Sequence, residues 1–295
     1  MRSSSNTGIK FRETDCCEKQ NTKCNNSSGT KKNYLYVIGI GPGSIDHLSK
    51  RARDLIDQAD TIVGYTSYVD LIKELISGKK IISTSMKKEV DRVQAAIEAS
   101  LSGSCCAIIS SGDPGIYAMA GLVFEICKKR SIQVIKPESG LEKEGSICLE
   151  VVPGIPAVAS GASLLGAPLT HDFACISLSD LLTPWDLIEK RIEHAAIADF
   201  VIVLFNPKSK KRAWQLNKAQ DIILKYRNDD TPVGLVKNAM RKKQSVLTIS
   251  LKDLHKADVD MLTTVFIGSS VSEKYLDYMY TPRGYSGKYD IGSVK

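Results

Sequence analysis

The sequence predicts two α/β domains, the first built on a mainly parallel sheet and the second on a mixed sheet. From residue 34 onward, short apolar runs alternate with segments of helical periodicity, the order expected of parallel strands covered by helices on both faces. Pro153 and Pro156, with Gly154 between them, interrupt this alternation near the middle of the chain. Beyond them, two β-branched runs, 244–250 and 263–268, follow each other without a full-length helix between them, so we expect antiparallel neighbours.

The first domain is predicted over residues 34–153. Its clearest helix is 89–101, where apolar residues recur at helical spacing and charged residues, Arg92 among them, cover the opposite face. The other predicted helices are 47–58, 68–76 and 116–129, and the predicted strands are 34–40, 61–64, 80–83, 105–110 and either 133–136 or 148–152.

The second domain is predicted over residues 154–286 and is followed by a tail, 287–295. Its predicted helices are 157–165, 185–195 and 213–226, and its strands are 175–178, 200–205, 232–236 and the two β-branched runs.

Residues 1–33 form a polar leader for which we predict disorder, because it is rich in Ser, Asn, Thr and Lys and poor in large apolar residues. Cys16, Cys17 and Cys24 lie in this leader. Two adjacent cysteines followed by a distant third do not have the spacing of a zinc site, so no metal is predicted there.

Composition restricts the classes of function. The chain has 295 residues, of which 43% are hydrophobic, and no apolar run approaches the roughly 20 residues that span a bilayer. We therefore expect a soluble, cytoplasmic protein that does not bind membranes. The formal charge of +7 is spread along the chain rather than gathered in one stripe, which argues against nucleic acid as a partner. A basic cleft for a small polycarboxylate fits this charge as well.

Two glycine-rich loops follow predicted strands. Gly39-Ile-Gly41-Pro42-Gly43 ends the first strand, and Ser111-Gly112-Asp113-Pro114 ends the fourth. In open α/β sheets, ligands bind at this carboxyl edge. The first loop has Ser44 where a dinucleotide-binding fingerprint needs its third glycine, and it lacks the Gly-Lys-Ser/Thr run of a phosphate loop.

Asp113 has two interpretations at this stage. Its carboxylate either caps the following helix or accepts hydrogen bonds from a bound cofactor. Only the second interpretation predicts that Asp113→Asn lowers cofactor affinity, by about 10- to 100-fold for one charge-assisted hydrogen bond.

The two loops together resemble those of the tetrapyrrole methylases, which use S-adenosyl-L-methionine. The segment GAPLTHDFACISLSDLLTPW (166–185), with FNPKS (205–209) and PRGY (282–285), is similar to one branch of that family. That branch methylates C17 of precorrin-3B or cobalt-factor III and contracts the ring in cobalamin synthesis. The resemblance extends from about residue 34 to residue 285.

The resemblance implies that S-adenosyl-L-methionine binds in the cleft between the two domains, with an anionic tetrapyrrole substrate in an adjoining trough. It also implies a homodimer. Pro156 departs from the family, because relatives have Thr there and Pro156 offers no hydroxyl. The residues that match cofactor-binding positions of the family are Pro42, Ser111, Gly112, Asp113, Ile116, Ala157, Asn206 and Ala239.

Tyr65 and His171 are the candidate catalytic residues. Tyr65 stands where the related uroporphyrinogen methylases have an Asp that is a proposed proton acceptor. It exchanges a proton, packs against the tetrapyrrole, or is an ordinary half-buried tyrosine. His171 precedes Asp172, which suggests an acid–base pair. Adjacent side chains on an extended chain seldom point the same way, which argues against such a pair. The candidate carboxylate-binding arginines, for which surface solvation is the alternative, are Arg191, Arg212, Arg241 and Arg283.

Other functions stay open at this point. The same fold methylates other precorrin positions, and a catalytically silent binding protein or a methylase of RNA or protein is a further alternative. A nucleotide-dependent oxidoreductase is disfavoured by Ser44. Asp60, the acidic residue about 20 positions further on, precedes the second strand instead of ending it.

Overall fold

A computed structural model describes residues 33–139, 144–209 and 212–292. The predicted leader, with its three cysteines, lies outside these residues except for Asn33. In the first half, the strands are β1 (Tyr34–Gly39), β2 (Thr61–Tyr65), β3 (Lys80–Thr84), β4 (Cys106–Ser110), β5 (Val134–Ile135) and β6 (Ile147–Val152). The helices are α1 (Lys50–Gln58), α2 (Thr66–Val69), α3 (Glu89–Leu101) and α4 (Ala120–Lys129).

These six strands form one parallel sheet in the order β3-β2-β4-β1-β6-β5. Helices cover both faces of it, as the alternation of side chains along β1 requires. Leu35 and Val37 pack with residues of α3 and α4, whereas Tyr36 and Ile38 pack with residues of α1. Cys106 is buried in this core, and burial raises the pKa of its thiol to about 12. The thiol therefore stays neutral and packs as a small apolar side chain.

The second half contains α5 (Ala157–Leu165), β7 (Gly166–Ala167), β8 (Phe173–Ser177), α6 (Trp185–Ile197), β9 (Val201–Phe205), α7 (Gln215–Ile223), β10 (Pro232–Lys237), β11 (Ser245–Ser250), β12 (Thr263–Ile267), β13 (Glu273–Tyr275) and β14 (Tyr278–Tyr280). Five of its strands form a mixed sheet in the order β11-β10-β12-β9-β8, in which only β8 and β9 pair in parallel. Helices α6 and α7 cover one face, and α5 covers the other. Strands β13, β14 and β7 form a small third sheet.

The predicted fold class is confirmed: a parallel sheet precedes a mixed one. The predicted pairing of 244–250 with 263–268 is wrong, because β11 and β12 lie on opposite sides of β10, each antiparallel to it. Of the two alternatives for the fifth strand of the first domain, both form, as β5 and β6. The boundary between residues 153 and 154 stays a prediction.

Two predicted helices differ from those observed. The helix predicted over 116–129 begins only at Ala120, because Tyr117 adopts a left-handed backbone conformation with φ of 51°. The helix predicted over 68–76 is instead α2 followed by a 3-10 segment, Asp70–Leu75, with a non-helical backbone at Ile72.

Candidate active site

Three glycine-containing loops meet at the carboxyl edge of the parallel sheet, at the ends of β4, β1 and β6. A Cβ atom added to Gly154 would lie 2.2 Å from the carbonyl oxygen of Gly112, and one added to Gly39 would lie 2.6 Å from the same atom. Gly41 and Gly112 also exchange backbone hydrogen bonds of 3.1 and 2.7 Å. The two glycine motifs are therefore the two sides of one tight backbone junction, in which Gly39 and Gly154 have no room for a side chain.

Asp113 ties this junction together. Its Oδ1 accepts a hydrogen bond from the amide of Gly115 at 2.8 Å, and its Oδ2 accepts one from the amide of Gly154 at 3.2 Å. The capping interpretation is wrong, since α4 begins at Ala120 and its N-cap residue is Met119. The carboxylate joins the β4 loop to the β6 loop while its side chain borders a cavity.

A cavity of about 400 Å³ lies between the parallel and mixed sheets. All eight predicted cofactor-binding residues line it, and so does Tyr65. The first half contributes the ends of β2 and β4, the β1 loop and the start of α3; the second half contributes the start of α5, the ends of β9 and β10 and the start of β12. Residues that lie far apart in the sequence therefore form one site.

The mixed-sheet side of the cavity has an unusual backbone. Asn206 and Asn238 both line the cavity with φ of 52°, a conformation that Asn tolerates better than most residues. The Asn206 side-chain amide donates to the Ser177 hydroxyl at 3.0 Å, and the backbone carbonyl oxygen of Asn206 accepts from Arg212 at 2.5 Å. These bonds fix the loop that follows β9.

Arg241 reaches into the cavity from the β10–β11 loop. Its Nε donates to the carbonyl oxygen of Pro42, and its Nη2 donates to the Ser111 hydroxyl at 2.6 Å. Burial lowers the pKa of Arg241, and the nearby phenol of Tyr68 partly opposes this. A residue of the second half therefore holds both glycine-rich loops of the first.

The other three candidate arginines do not line this cavity. Arg191 and Arg283 are exposed, and Arg283 donates to the Thr170 carbonyl oxygen at 3.0 Å. Arg212 is buried, where it donates to the Leu178 carbonyl oxygen at 2.8 Å, and it lies 3.9 Å from the Asp180 carboxylate.

Aromatic side chains form two clusters at the cavity. The rings of Tyr65 and Tyr68 meet edge to face with centroids 5.1 Å apart, and burial raises the pKa of Tyr68. Tyr117 crosses to the mixed sheet, where its hydroxyl donates to the Cys175 carbonyl oxygen at 2.9 Å and its ring lies 5.2 Å from that of Phe205. Sequence reasoning found neither Tyr68 nor Tyr117, because nothing local marks them as cavity residues.

His171 lies at the surface, outside the cavity lining, with a side chain that is 52% exposed. Its Nδ1 accepts from the Asp172 amide at 2.9 Å and is 3.8 Å from the Asp172 carboxylate. The two side chains thus approach each other despite being adjacent in sequence. The catalytic role of His171 stays a prediction that its position does not support.

Asp60 lies at the amino end of β2, opposite the cavity, and its carboxylate accepts from the Cys105 amide at 3.0 Å. This position gives no support to the oxidoreductase alternative. Within residues 33–139, 144–209 and 212–292, no cluster of three His, Cys, Asp or Glu side chains has the arrangement of a metal site. No helix in the described part of the chain is both long and apolar enough to cross a membrane.

Comparison with protein families finds a match to the model of the Tetrapyrrole (Corrin/Porphyrin) Methylases over residues 34–255. Among curated proteins, the cobalt-factor III methyltransferase of Priestia megaterium is 51% identical over 264 residues, which cover 90% of this chain and 47% of that protein. The chain thus spans about half the length of this relative. The probable cobalt-factor III C(17)-methyltransferase of Salmonella typhimurium (strain LT2) is 44% identical, covering 85% of this chain and 99% of that protein.

Among solved structures, the methyltransferase CobJ superposes with a TM-score of 0.75 at 32% sequence identity. The superposition covers 84% of this chain and 99% of that one.

Proposed function

Because the chain belongs to the tetrapyrrole methylases, we propose that it transfers a methyl group from S-adenosyl-L-methionine to C17 of cobalt-factor III or precorrin-3B. Contraction of the ring accompanies this transfer in cobalamin synthesis. The observation that supports the proposal is that all eight predicted cofactor-binding positions and Tyr65 line the same cavity. The name of the Salmonella typhimurium relative favours C17 over other positions of the macrocycle.

The cavity suits the proposed cofactor. Its volume of about 400 Å³ falls within the usual range of small-molecule sites. Pro42 and Ile116 supply apolar surface, and the side chains of Ser111, Asp113 and Asn206 supply hydrogen-bonding groups. When bound, S-adenosyl-L-methionine supplies an electrophilic methyl group on a sulfonium.

The chain's own contribution is chiefly alignment, because displacement at a methyl carbon depends on holding two reactants in line. The three-loop junction provides rigid backbone for this purpose. Tyr65, at the end of β2, is the residue that we propose to exchange a proton with the substrate or to pack against it.

The assay that tests this proposal uses cobalt-factor III and precorrin-3B separately, each with methyl-labelled S-adenosyl-L-methionine. We expect one labelled methyl group in at least one product, detected by mass, together with an absorbance change from the altered ring. Carbon NMR of the product then locates the label at C17. Absence of label from both tetrapyrroles would refute the proposal, and label at another carbon would redirect it to a different precorrin methylation.

We also propose a homodimeric, cytoplasmic enzyme, as the family resemblance implies. Light scattering of the purified protein measures the mass directly. A mass near the 32.3 kDa of one chain would contradict the dimer.

A further inference from the structure

Arg92 is a buried cation at the edge of the cavity. It lies in the first turn of α3 and is only 4% exposed, although its place in the helical pattern predicts a solvated face. It borders the cavity on the side of β2 and β3, away from the junction of the β4, β1 and β6 loops. Sequence reasoning therefore missed this residue.

The guanidinium of Arg92 is held in place but is not neutralised. Its Nε donates to the Thr84 hydroxyl at 2.9 Å, and its Nη2 donates to the Ser85 carbonyl oxygen at 3.0 Å. Its Nη1 contacts the sulfur of Met119, a weak acceptor, at 3.8 Å. Among the residues that the structure describes, no carboxylate forms an ion pair with it, and burial lowers the pKa of Arg92 while the charge of Glu89 partly opposes this.

A buried and unpaired cation is costly, since removal from water is not repaid by a nearby opposite charge. Arginine cannot escape the cost by losing its proton. An anion in the cavity would supply the missing partner. Planar guanidinium groups match carboxylates through paired N–H donors, and Nη1 has both of its N–H groups without an oxygen acceptor among the described residues.

The surroundings of Arg92 suit a flat ring with acidic side chains. The Tyr65 ring lies under the guanidinium, with its centroid 5.9 Å away, and Tyr68 packs against Tyr65. Met86 and Met119 add flexible apolar surface on the same side of the cavity. The guanidinium of Arg241 is less available to a substrate, because it already donates to Pro42 and Ser111, which are two of the proposed cofactor positions.

We propose that Arg92 binds a side-chain carboxylate of the tetrapyrrole and thereby holds the macrocycle against Tyr65 and Tyr68. This inference rests on the proposed function for the identity of the ligand. Arg92 is then a substrate-binding residue at the β2–β3 end of the cavity, while the three-loop junction serves the cofactor.

The test measures binding by absorbance titration, without turnover, for cobalt-factor III and for the same macrocycle with its carboxylates converted to primary amides. Wild type, Arg92→Gln, Arg92→Lys and the control Arg53→Gln are compared; Arg53 is an exposed arginine of α1, outside the cavity lining. We expect Arg92→Gln to weaken binding of the acid by about 10- to 100-fold and binding of the amide by less than threefold. Arg92→Lys should lie between, because an ammonium keeps the charge but not the fork.

S-adenosylhomocysteine affinity and melting temperature, measured on each variant, separate a binding role from a structural one. A purely structural role for Arg92 would weaken binding of acid and amide equally and would overturn the inference. So would wild-type protein that binds the acid no more tightly than the amide. If Arg92→Gln does not fold, Arg92→Lys decides by the same acid-to-amide ratio. A last outcome separates this inference from the proposed function. If the wild type binds the acid more tightly than the amide, Arg92→Gln removes that difference, and no methyl group is transferred, the proposed function is refuted and the role of Arg92 in binding stands.

Discussion

Asp113 shows how one side chain organises the site. Both of its carboxylate oxygens are used by backbone amides, one in its own turn and one in the loop after β6. A hydrogen bond to a charged acceptor contributes about 1.5–3 kcal/mol, so each of these bonds matters to the placement of the loops.

We expect Asp113→Asn to destabilise the protein and to weaken binding of the cofactor together. Asn has a single acceptor oxygen, so it can keep the Gly115 bond but turns an amide donor toward the Gly154 N–H. The loss should be about 1–3 kcal/mol of unfolding free energy in urea titrations. S-adenosylhomocysteine affinity, measured by calorimetry, should fall as the junction moves. Asp277→Asn, on the exposed turn between β13 and β14, is the control for loss of one negative charge. Unchanged stability of Asp113→Asn would show that the Gly154 bond contributes nothing.

Single residues mark the limit of what the sequence could predict about the site. The predicted cofactor positions and Tyr65 came from the resemblance to the tetrapyrrole methylases, and the structure brings these residues to one cavity. Arg92 and Tyr68 were not found, because their burial depends on which helix faces which strand. Arg92 in particular lies on the charged face of α3 and is buried by residues at the end of β3 and the start of α4.

At the scale of elements, the junction of the β4, β1 and β6 loops fixes how the carboxyl edge of the parallel sheet is built. The three strands are neighbours in the sheet, so their following loops must pass each other within backbone contact distance. At Gly39 and Gly154 an added Cβ would meet backbone atoms at 2.7 Å or less, so only glycine permits this approach.

We expect Gly154→Ala to lower the free energy of unfolding by at least about 3 kcal/mol, which is the upper end of the usual cost of overpacking. The reason is that the new Cβ would lie 2.2 Å from a backbone carbonyl oxygen, which cannot move aside as a side chain can. The matched control is Gly121→Ala on α4, where an added Cβ meets nothing within 4 Å. That change should stabilise the protein by about 0.5–1 kcal/mol, as Ala for Gly usually does within a helix. Urea midpoints of the two variants give the comparison. Similar midpoints would mean that the junction can relax.

The strands of the two larger sheets were predicted to within a few residues because apolar runs bounded by turns are a local signal, whereas β7, β13 and β14 of the small third sheet were not predicted. Their order in the mixed sheet was not, since β11 and β12 both pair with β10 and local pattern does not encode partners. The late start of α4 has a similar cause. Its first predicted turn is replaced by the loop that holds Asp113 and the left-handed Tyr117.

At the scale of the whole molecule, the cavity joins the two sheets. Arg241 extends from the mixed-sheet half to the two glycine-rich loops, and Tyr117 extends from the parallel-sheet half to β8. A ligand held between them would contact both halves and would therefore stabilise both against unfolding.

We expect S-adenosylhomocysteine at 100 times its dissociation constant to stabilise the folded protein by about 2.7 kcal/mol, which for a chain of 295 residues corresponds to a rise in melting temperature of about 4–5 °C. Ala157→Leu should abolish the rise at the same ligand concentration, because Ala157 lines the cavity in the first turn of α5 and Leu fills that space. Ala159→Leu, on an exposed position of the same helix, should retain it. Leu is a good helix former, so neither change should disrupt α5 itself. Scanning fluorimetry of the three proteins with and without ligand makes the comparison. An equal rise in Ala157→Leu and Ala159→Leu would place the cofactor outside this cavity, and no rise in the wild type would remove the cofactor assignment.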